Sequence, residues 1–372
     1  MKRYIALTLE LFILFSLSAY DFKELTFSTK PKTVFSTQQN ISNELKTGLA
    51  QGKEEATQNK RDLALPDKKL LRGFERLPKT DAFGDVIPDS FMFYRETLNA
   101  NQKSAYDEIY KAIMNAEPNL KIITRVSNRE IFQIIHCVYL DNPELFWWAE
   151  DCSWWYNSDG TVTNLAFNYL FTSDELRKCN QEFLNMSLPV IFYANLLETD
   201  MEKIKYVHDY LCLSIDYDTD SFNANSYGGK LQTAYSAIVE YKTVCAGYSR
   251  AFAYYMQQLR IPCTVLYSST HAWNMIEIEG EVYQTDVTWD DGKNKIPQFF
   301  NISNKRMQTV EHHMPEEISM RVVQQHPSSS DYYSYSKYFG QIPIGFPYTY
   351  QEFNNIEDDI DNPAFAQVIL AE

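Results

Sequence analysis

The segment Thr243-Val-Cys-Ala-Gly-Tyr-Ser-Arg250 places Cys245 directly before the run Ala251-Phe-Ala-Tyr-Tyr-Met-Gln-Gln-Leu259, which Pro262 terminates. That pattern predicts a helix with Cys245 at its N-terminus. Backbone N–H groups there have no intrahelical partner and the helix dipole is positive, so a thiolate is favoured over a thiol. A cysteine so placed can serve as a nucleophile at neutral pH. On its own, such a cysteine is more often a small buried hydrophobe, so a partner must be found elsewhere.

The next segment supplies one. His271-Ala-Trp-Asn-Met-Ile-Glu-Ile278 and Glu281-Val-Tyr-Gln-Thr-Asp-Val-Thr288 are β-prone runs separated by Glu279-Gly280, a hairpin signal. That loop sets Ile278 opposite Glu281, Trp273 opposite Asp286 and His271 opposite Thr288. His271 and Asp286 then lie diagonally on one sheet face, at a Cβ separation of roughly 7 Å or less. A loop one residue longer would split them between the two faces. A carboxylate accepting from one imidazole nitrogen fixes the tautomer and steadies the imidazolium, leaving the other nitrogen for the Cys245 proton. The expected chemistry is nucleophilic acyl transfer by a Cys/His/Asp set. Asp290 and Asp291 compete for the orienting role, although Asp291-Gly292 reads as a turn and Asp290 falls past the expected paired length.

Val244-Cys-Ala-Gly-Tyr-Ser249, His271-Ala-Trp-Asn274 and Tyr283-Gln-Thr-Asp-Val-Thr-Trp-Asp290, in this order and spacing, resemble the three core motifs of the transglutaminase-like superfamily. The similarity is greatest to bacterial-type members in which a helix like His208-Asp-Tyr-Leu211 precedes these blocks. It extends over Met201 to Ile302 and is weaker back to Phe91. The resemblance implies a papain-like α+β fold, with the nucleophile helix packed on an antiparallel sheet, and an acyl-enzyme mechanism without cofactor or metal. The family's catalytic residues carry over to Cys245, His271 and Asp286. Family members also bind the oxyanion with the cysteine's own N–H and a side chain upstream of it; Gln232, Tyr235 and Tyr241 are the candidates here. The expected substrate is a protein or peptide amide, including a cell-wall or surface protein. Water would resolve the thioester in a peptidase or amidase, and a lysine amine in a cross-linking enzyme; the motifs serve both.

These residues need a scaffold, and a chain of 372 residues favours roughly two structured units. Residues 20–90 are rich in Lys, Thr, Gln, Asn and Ser and read as a linker or solvated extension, with the packed region starting near Phe91. An N-terminal α+β region is expected over 91–198, the catalytic core over 199–315, and a Tyr-rich, acidic extension over 316–372. Tyr106, Ile109, Tyr110 and Ile113 mark an amphipathic helix ending by Pro118, and a second helix is expected from Arg129 to Tyr139. Aromatic residues crowd Phe146 to Tyr156, and Ser158-Asp159-Gly160 signals a hairpin there. Thr172 with Glu175 and Thr199 with Glu202 form two capping boxes that start helices. In the second, Ile204, Val207, His208 and Leu211 share one face, making His208 a satisfied core histidine. Asp216-Tyr-Asp-Thr-Asp220 imitates the start of a calcium loop, but Ser221 replaces its glycine and Tyr227 its bidentate glutamate, so a solvated loop is expected.

Thirty-four basic against 49 acidic residues give a formal charge of −15, the wrong balance for nucleic acid or an anionic membrane. Lys2-Arg3, the apolar stretch Tyr4 to Leu17 and the small residues Ser16, Ser18 and Ala19 have the three parts of a signal peptide over residues 1–19. That predicts a secreted, cell-surface or periplasmic protein, and no later stretch is long enough to span a bilayer. The six cysteines contain no C-x-x-C pair. With Cys245 free, an odd number remains, so at least one other thiol stays unpaired even if disulfides form. A second reading is a non-catalytic surface or wall-binding protein that binds through Phe146–Tyr156 and Tyr332–Tyr338. All three catalytic-type residues are intact, which argues against it.

Overall fold

The computed structural model describes residues 87–345 apart from 227, 293, 294 and 329, together with 32–34, 79 and 81. The expected signal peptide and the acidic C-terminal run lie outside the described residues. The N-terminal region carries helices α1 (Ala100–Met114) and α2 (Ile131–Asp141) and a four-stranded sheet. Its strands are β1 (Lys32–Val34), β2 (Asn119–Lys121), β3 (Cys152–Tyr156) and β4 (Val162–Phe167), in the order β1-β3-β4-β2. The aromatic segment before and within β3 packs inward: Phe146, Trp147, Trp148 and Trp154 are all buried.

Two long helices follow, α3 (Ser173–Asn195) and α4 (Asp200–Ser214), each opened by the expected capping box, at Thr172/Glu175 and Thr199/Glu202. The short parallel pair β5 (Asp216–Tyr217) and β6 (Lys242–Thr243) and helix α5 (Ala234–Ile238) lead into α6 (Cys245–Gln258). The calcium-like run is more ordered than a solvated loop. Asp216 and Tyr217 pair with β6, and Asp218 caps a helical turn by accepting from Ser221 N–H at 3.1 Å.

Helix α6 is the centre of the molecule. Every residue from Ala246 to Gln258 is buried, against β7 (Cys263–Tyr267) and β8 (Ala272–Ile278) of an antiparallel sheet completed by β9 (Glu281–Thr285). A helix covered on all sides must satisfy its polar groups internally. Arg250 donates to the carbonyls of Tyr139 and Asn142 at 2.7 and 2.9 Å, and Gln257 to those of Asp141 and Cys263 at 3.2 and 3.1 Å. These bonds tie α6 to the end of α2, joining the N-terminal region to the core.

Packing begins before Phe91 and continues past 315. Lys79, placed by composition in the linker, is buried and donates to Glu144 Oε2 at 2.8 Å and Gln257 Oε1 at 2.7 Å. Asp81 pairs with Arg260 at 3.2 Å, and Ile87 is fully buried. Helix α7 (Val287–Asp290) follows β9, and α8 (Glu317–Gln325) buries Val322 and Val323. The Tyr-rich run divides: Tyr335 is buried, whereas Tyr332 and Tyr338 are exposed. Among the described residues, no helix is long and apolar enough to cross a membrane.

Candidate active site

Cys245 opens α6 as its first residue and is half-buried, whereas Cys137, Cys152, Cys179, Cys212 and Cys263 are buried free thiols. The chain reaches this position through a close approach. A Cβ on Gly247 would lie 1.9 Å from Thr243 Oγ1, whose hydroxyl bonds the Leu231 carbonyl at 2.8 Å and Ser236 Oγ at 2.7 Å. Only a residue without a side chain lets the turn into α6 pack on Thr243. Asn274 of β8 donates to the Ser249 carbonyl at 2.8 Å, fixing the first turn of α6 on the sheet.

The hairpin forms in the expected register, with Ile278 opposite Glu281 and Asn274 opposite Thr285. Glu279 and Gly280 make its turn with φ of 53° and 82°. Strand pairing stops at Thr285, so Asp286 is not a strand residue: it caps α7, its Oδ1 accepting the Trp289 N–H at 3.1 Å. His271 precedes β8 in a tight turn, its N–H on Ser268 Oγ at 3.0 Å and its carbonyl accepting from Ser268 N–H at 2.9 Å. The diagonal contact is made all the same: His271 Nε2 and Asp286 Oδ2 are 2.6 Å apart, both groups buried. The carboxylate accepts, so Nε2 carries the proton and Nδ1 is left for the thiol.

Burial alone would lower the His271 pKa, but the charge and hydrogen bond of Asp286, joined by the Cys245 side chain, push it up to about 10. For Asp286, burial acts upward, yet His271 and His313 hold its carboxyl well below the usual range. An imidazolium at His271, paired with the Asp286 carboxylate and bonded on its other side by the Cys245 side chain, is the state these contacts favour.

Asp290 does not compete for His271. It faces His208, whose Nε2 lies 3.3 Å from Asp290 Oδ2 and whose Nδ1 lies 3.0 Å from Asp209 Oδ1. Asp290 Oδ1 also accepts the N–H groups of Gln298 and Phe299, at 2.6 and 3.0 Å. His208 is thus a satisfied core histidine that fastens α7, and with it Asp286, to α4. Asp291 accepts from Tyr248 Oη at 2.9 Å. Of the oxyanion candidates, Tyr235 donates to Glu182 at 2.7 Å and Tyr241 pairs with Tyr210 at 3.4 Å. Gln232 ends a 3-10 turn packed against α6.

His313 was not anticipated. Its Nε2 lies 2.7 Å from Asp286 Oδ2, and it is fully buried. The residue follows no periodic pattern in Glu311-His-His-Met-Pro315; the available clue was that the chain has only six histidines. Among the described residues, His271, Asp286 and His313 bring three metal-ligand-type atoms within 4.8 Å of one another.

A helix opened by Cys245 and packed on an antiparallel sheet, with His271 just before one strand and Asp286 just after the next, is the papain-like α+β architecture. Residues 193–291 match the transglutaminase-like superfamily, and this core of the chain belongs to it. Among solved structures, the chain is similar to a TGase at 13% identity, covering 50% of this chain and 55% of that one, with a TM-score of 0.29. It is also similar to a candidate cysteine protease from Cytophaga hutchinsonii at 16% identity, covering 37% and 61%, with a TM-score of 0.23. The chain therefore spans less than two thirds of either neighbour. No curated protein matches the sequence.

Proposed function

We propose that the protein is a thiol enzyme that acts on protein or peptide amides through a Cys245 thioester. The observation that carries this reading is the buried 2.6 Å contact between His271 and Asp286 beside a half-buried cysteine at a helix N-terminus. Cys245 Sγ attacks the amide carbonyl carbon, and the His271 imidazolium passes its Nδ1 proton to the departing amine as the C–N bond breaks. Water or a second amine then attacks the thioester carbonyl, His271 takes its proton, and the acid or new amide leaves as the thiol is restored. The Cys245 N–H is the proposed main-chain oxyanion donor, with Gln232, Tyr235 and Tyr241 as the side-chain candidates, of which Tyr235 bonds Glu182 and Tyr241 pairs with Tyr210. Against the wall-binding alternative, in its Phe146–Tyr156 segment Phe146, Trp147, Trp148 and Trp154 are core residues and only Trp155 and Tyr156 are half-buried, while in its Tyr332–Tyr338 segment Tyr332 and Tyr338 are exposed. Secretion is part of the proposal and rests on the N-terminal sequence pattern.

Iodoacetamide labelling followed by peptide mapping tests the site. Selective modification of Cys245 well below pH 8.5, the usual thiol value, is expected. Labelling with no preference over the other cysteines would sink the reading. Incubation with a Gln-containing protein and a fluorescent amine then separates the outcomes: incorporation lost in Cys245→Ala means transfer, and amide cleavage without incorporation means hydrolysis.

A further inference from the structure

Asp286 Oδ2 is approached by two histidines, His271 Nε2 at 2.6 Å and His313 Nε2 at 2.7 Å. The other nitrogen of His313 is also committed: Nδ1 lies 2.8 Å from the carbonyl oxygen of Glu311. A carbonyl can only accept, so Nδ1 must donate. An ionised carboxylate can only accept, so Nε2 must donate as well. A neutral imidazole has one N–H and cannot do both.

The surroundings suit a cation. The ring of His313 lies with its centroid 4.9 Å from Trp273, 4.8 Å from Trp289 and 6.0 Å from Phe299. The titratable groups that face it are His271 and Asp286. Asp290, one turn along α7, is turned to His208, and the neighbouring His312 pairs with Thr270 Oγ1 at 3.0 Å and the Glu311 carboxylate at 3.5 Å. On the far side of His271 from His313 stands the Cys245 side chain, which hydrogen-bonds His271.

We propose that His313 is held as an imidazolium, a fixed charge that shares Asp286 with His271 and makes the site neutral when Cys245 is ionised. Two imidazolium cations then balance one carboxylate and one thiolate. Without His313 the ionised site would carry a net negative charge in a buried setting, which disfavours the thiolate. His313 is therefore a positioning residue, acting on the nucleophile through Asp286 and His271. A metal held by the same three side chains is the rival arrangement. Ligands about 2.0–2.1 Å from a tetrahedral ion stand roughly 3.3 Å apart. The 2.6 and 2.7 Å separations here are those of hydrogen bonds.

This inference rests on the proposed thiol site, and its test does not need the enzymatic substrate. Nitrogen-15 NMR of the full chain labelled at histidine, with His313 assigned by its disappearance in His313→Gln, reports both ring nitrogens directly. Two protonated nitrogens at neutral pH are expected. One unprotonated nitrogen, or zinc copurifying in equimolar amount and lost in His313→Gln, would overturn the proposal. The pH dependence of iodoacetamide labelling at Cys245 gives the functional arm. His313→Gln keeps a donor for Asp286 but not the charge, and should move the labelling limb up by about one pH unit. An unmoved limb in a folded variant would mean a packing role and overturn the charge assignment. A protein that shows the imidazolium and the shifted limb yet turns over no amide would refute the proposed function and leave this inference standing.

Discussion

At the scale of single residues, the site is governed by who shares the Asp286 carboxylate. Its Oδ1 caps α7 through Trp289 N–H, and its Oδ2 serves His271. One residue therefore shapes the local backbone and orients His271. The His271 pKa of about 10 predicts that activity persists into alkaline solution and falls as pH approaches that value, where the imidazolium that protonates the leaving amine is lost. In Asp286→Asn the charge that raises His271 is gone while burial remains. The alkaline limb should drop by more than one unit, with the rate at neutral pH down roughly a hundred- to ten-thousand-fold. A pH–rate profile unchanged by this substitution would remove Asp286 from the mechanism. The same shifts act on stability. A raised histidine stabilises the fold fully below its ordinary 6.5 and loses that contribution as pH climbs to about 10, whereas a lowered aspartate contributes above 3.8 and loses it on acidification. Both contributions are complete between 3.8 and 6.5.

At the scale of elements, the position of Cys245 depends on how closely β6 and α6 approach. Gly247 sits in the first turn of α6 against Thr243, with no room for a methyl group. Gly247→Ala normally favours a helix by about 1 kcal/mol. Here the 1.9 Å overlap must force Thr243 or the helix aside, breaking its bonds to Leu231 and Ser236. The expected result is a net loss of about 1–3 kcal/mol in denaturant unfolding, together with slowed Cys245 labelling. A stabilised variant with normal labelling would show that the approach is not needed. Helix α7 is placed in a similar way from below. His208 between Asp209 and Asp290 forms a buried charged link from α4, and Lys205 adds a salt bridge to Asp209. Burial would lower the His208 pKa, but Cys212 and the two carboxylates raise it well above the usual histidine value.

Across the whole molecule, the N-terminal region is fastened to the core through the end of α2 and the far end of α6. Lys79 enters that junction from outside both helices and satisfies Glu144 and Gln257. A buried ion pair adds little when intact but is costly when halved. Lys79→Ala should therefore lose about 3–5 kcal/mol by chemical denaturation, leaving Glu144 as an unpaired buried carboxylate. Lys79→Ala with unchanged stability would mean that residues before 87 do not belong to the packed unit. This contact also explains why composition placed Lys79 outside the packed unit: a polar stretch can contribute one buried lysine without any apolar period to announce it.

The arrangement of the candidate site was legible in the sequence where it depends on local signals. Cys245 lies at a pattern-marked helix start, and a two-residue hairpin fixes the register that brings His271 near Asp286. Both capping boxes were legible for the same reason, since capping spans only a few residues. What tertiary structure alone decided are the contacts between segments distant in the chain. These include His313 returning 27 residues after Asp286 to share its carboxylate, and Asp290 turning to His208 instead of His271. They also include Lys79 reaching Gln257 across 178 residues. None has a period or a motif, because a buried polar group is placed by whichever surface needs its charge or hydrogen bond satisfied, and that surface exists only once the chain is folded.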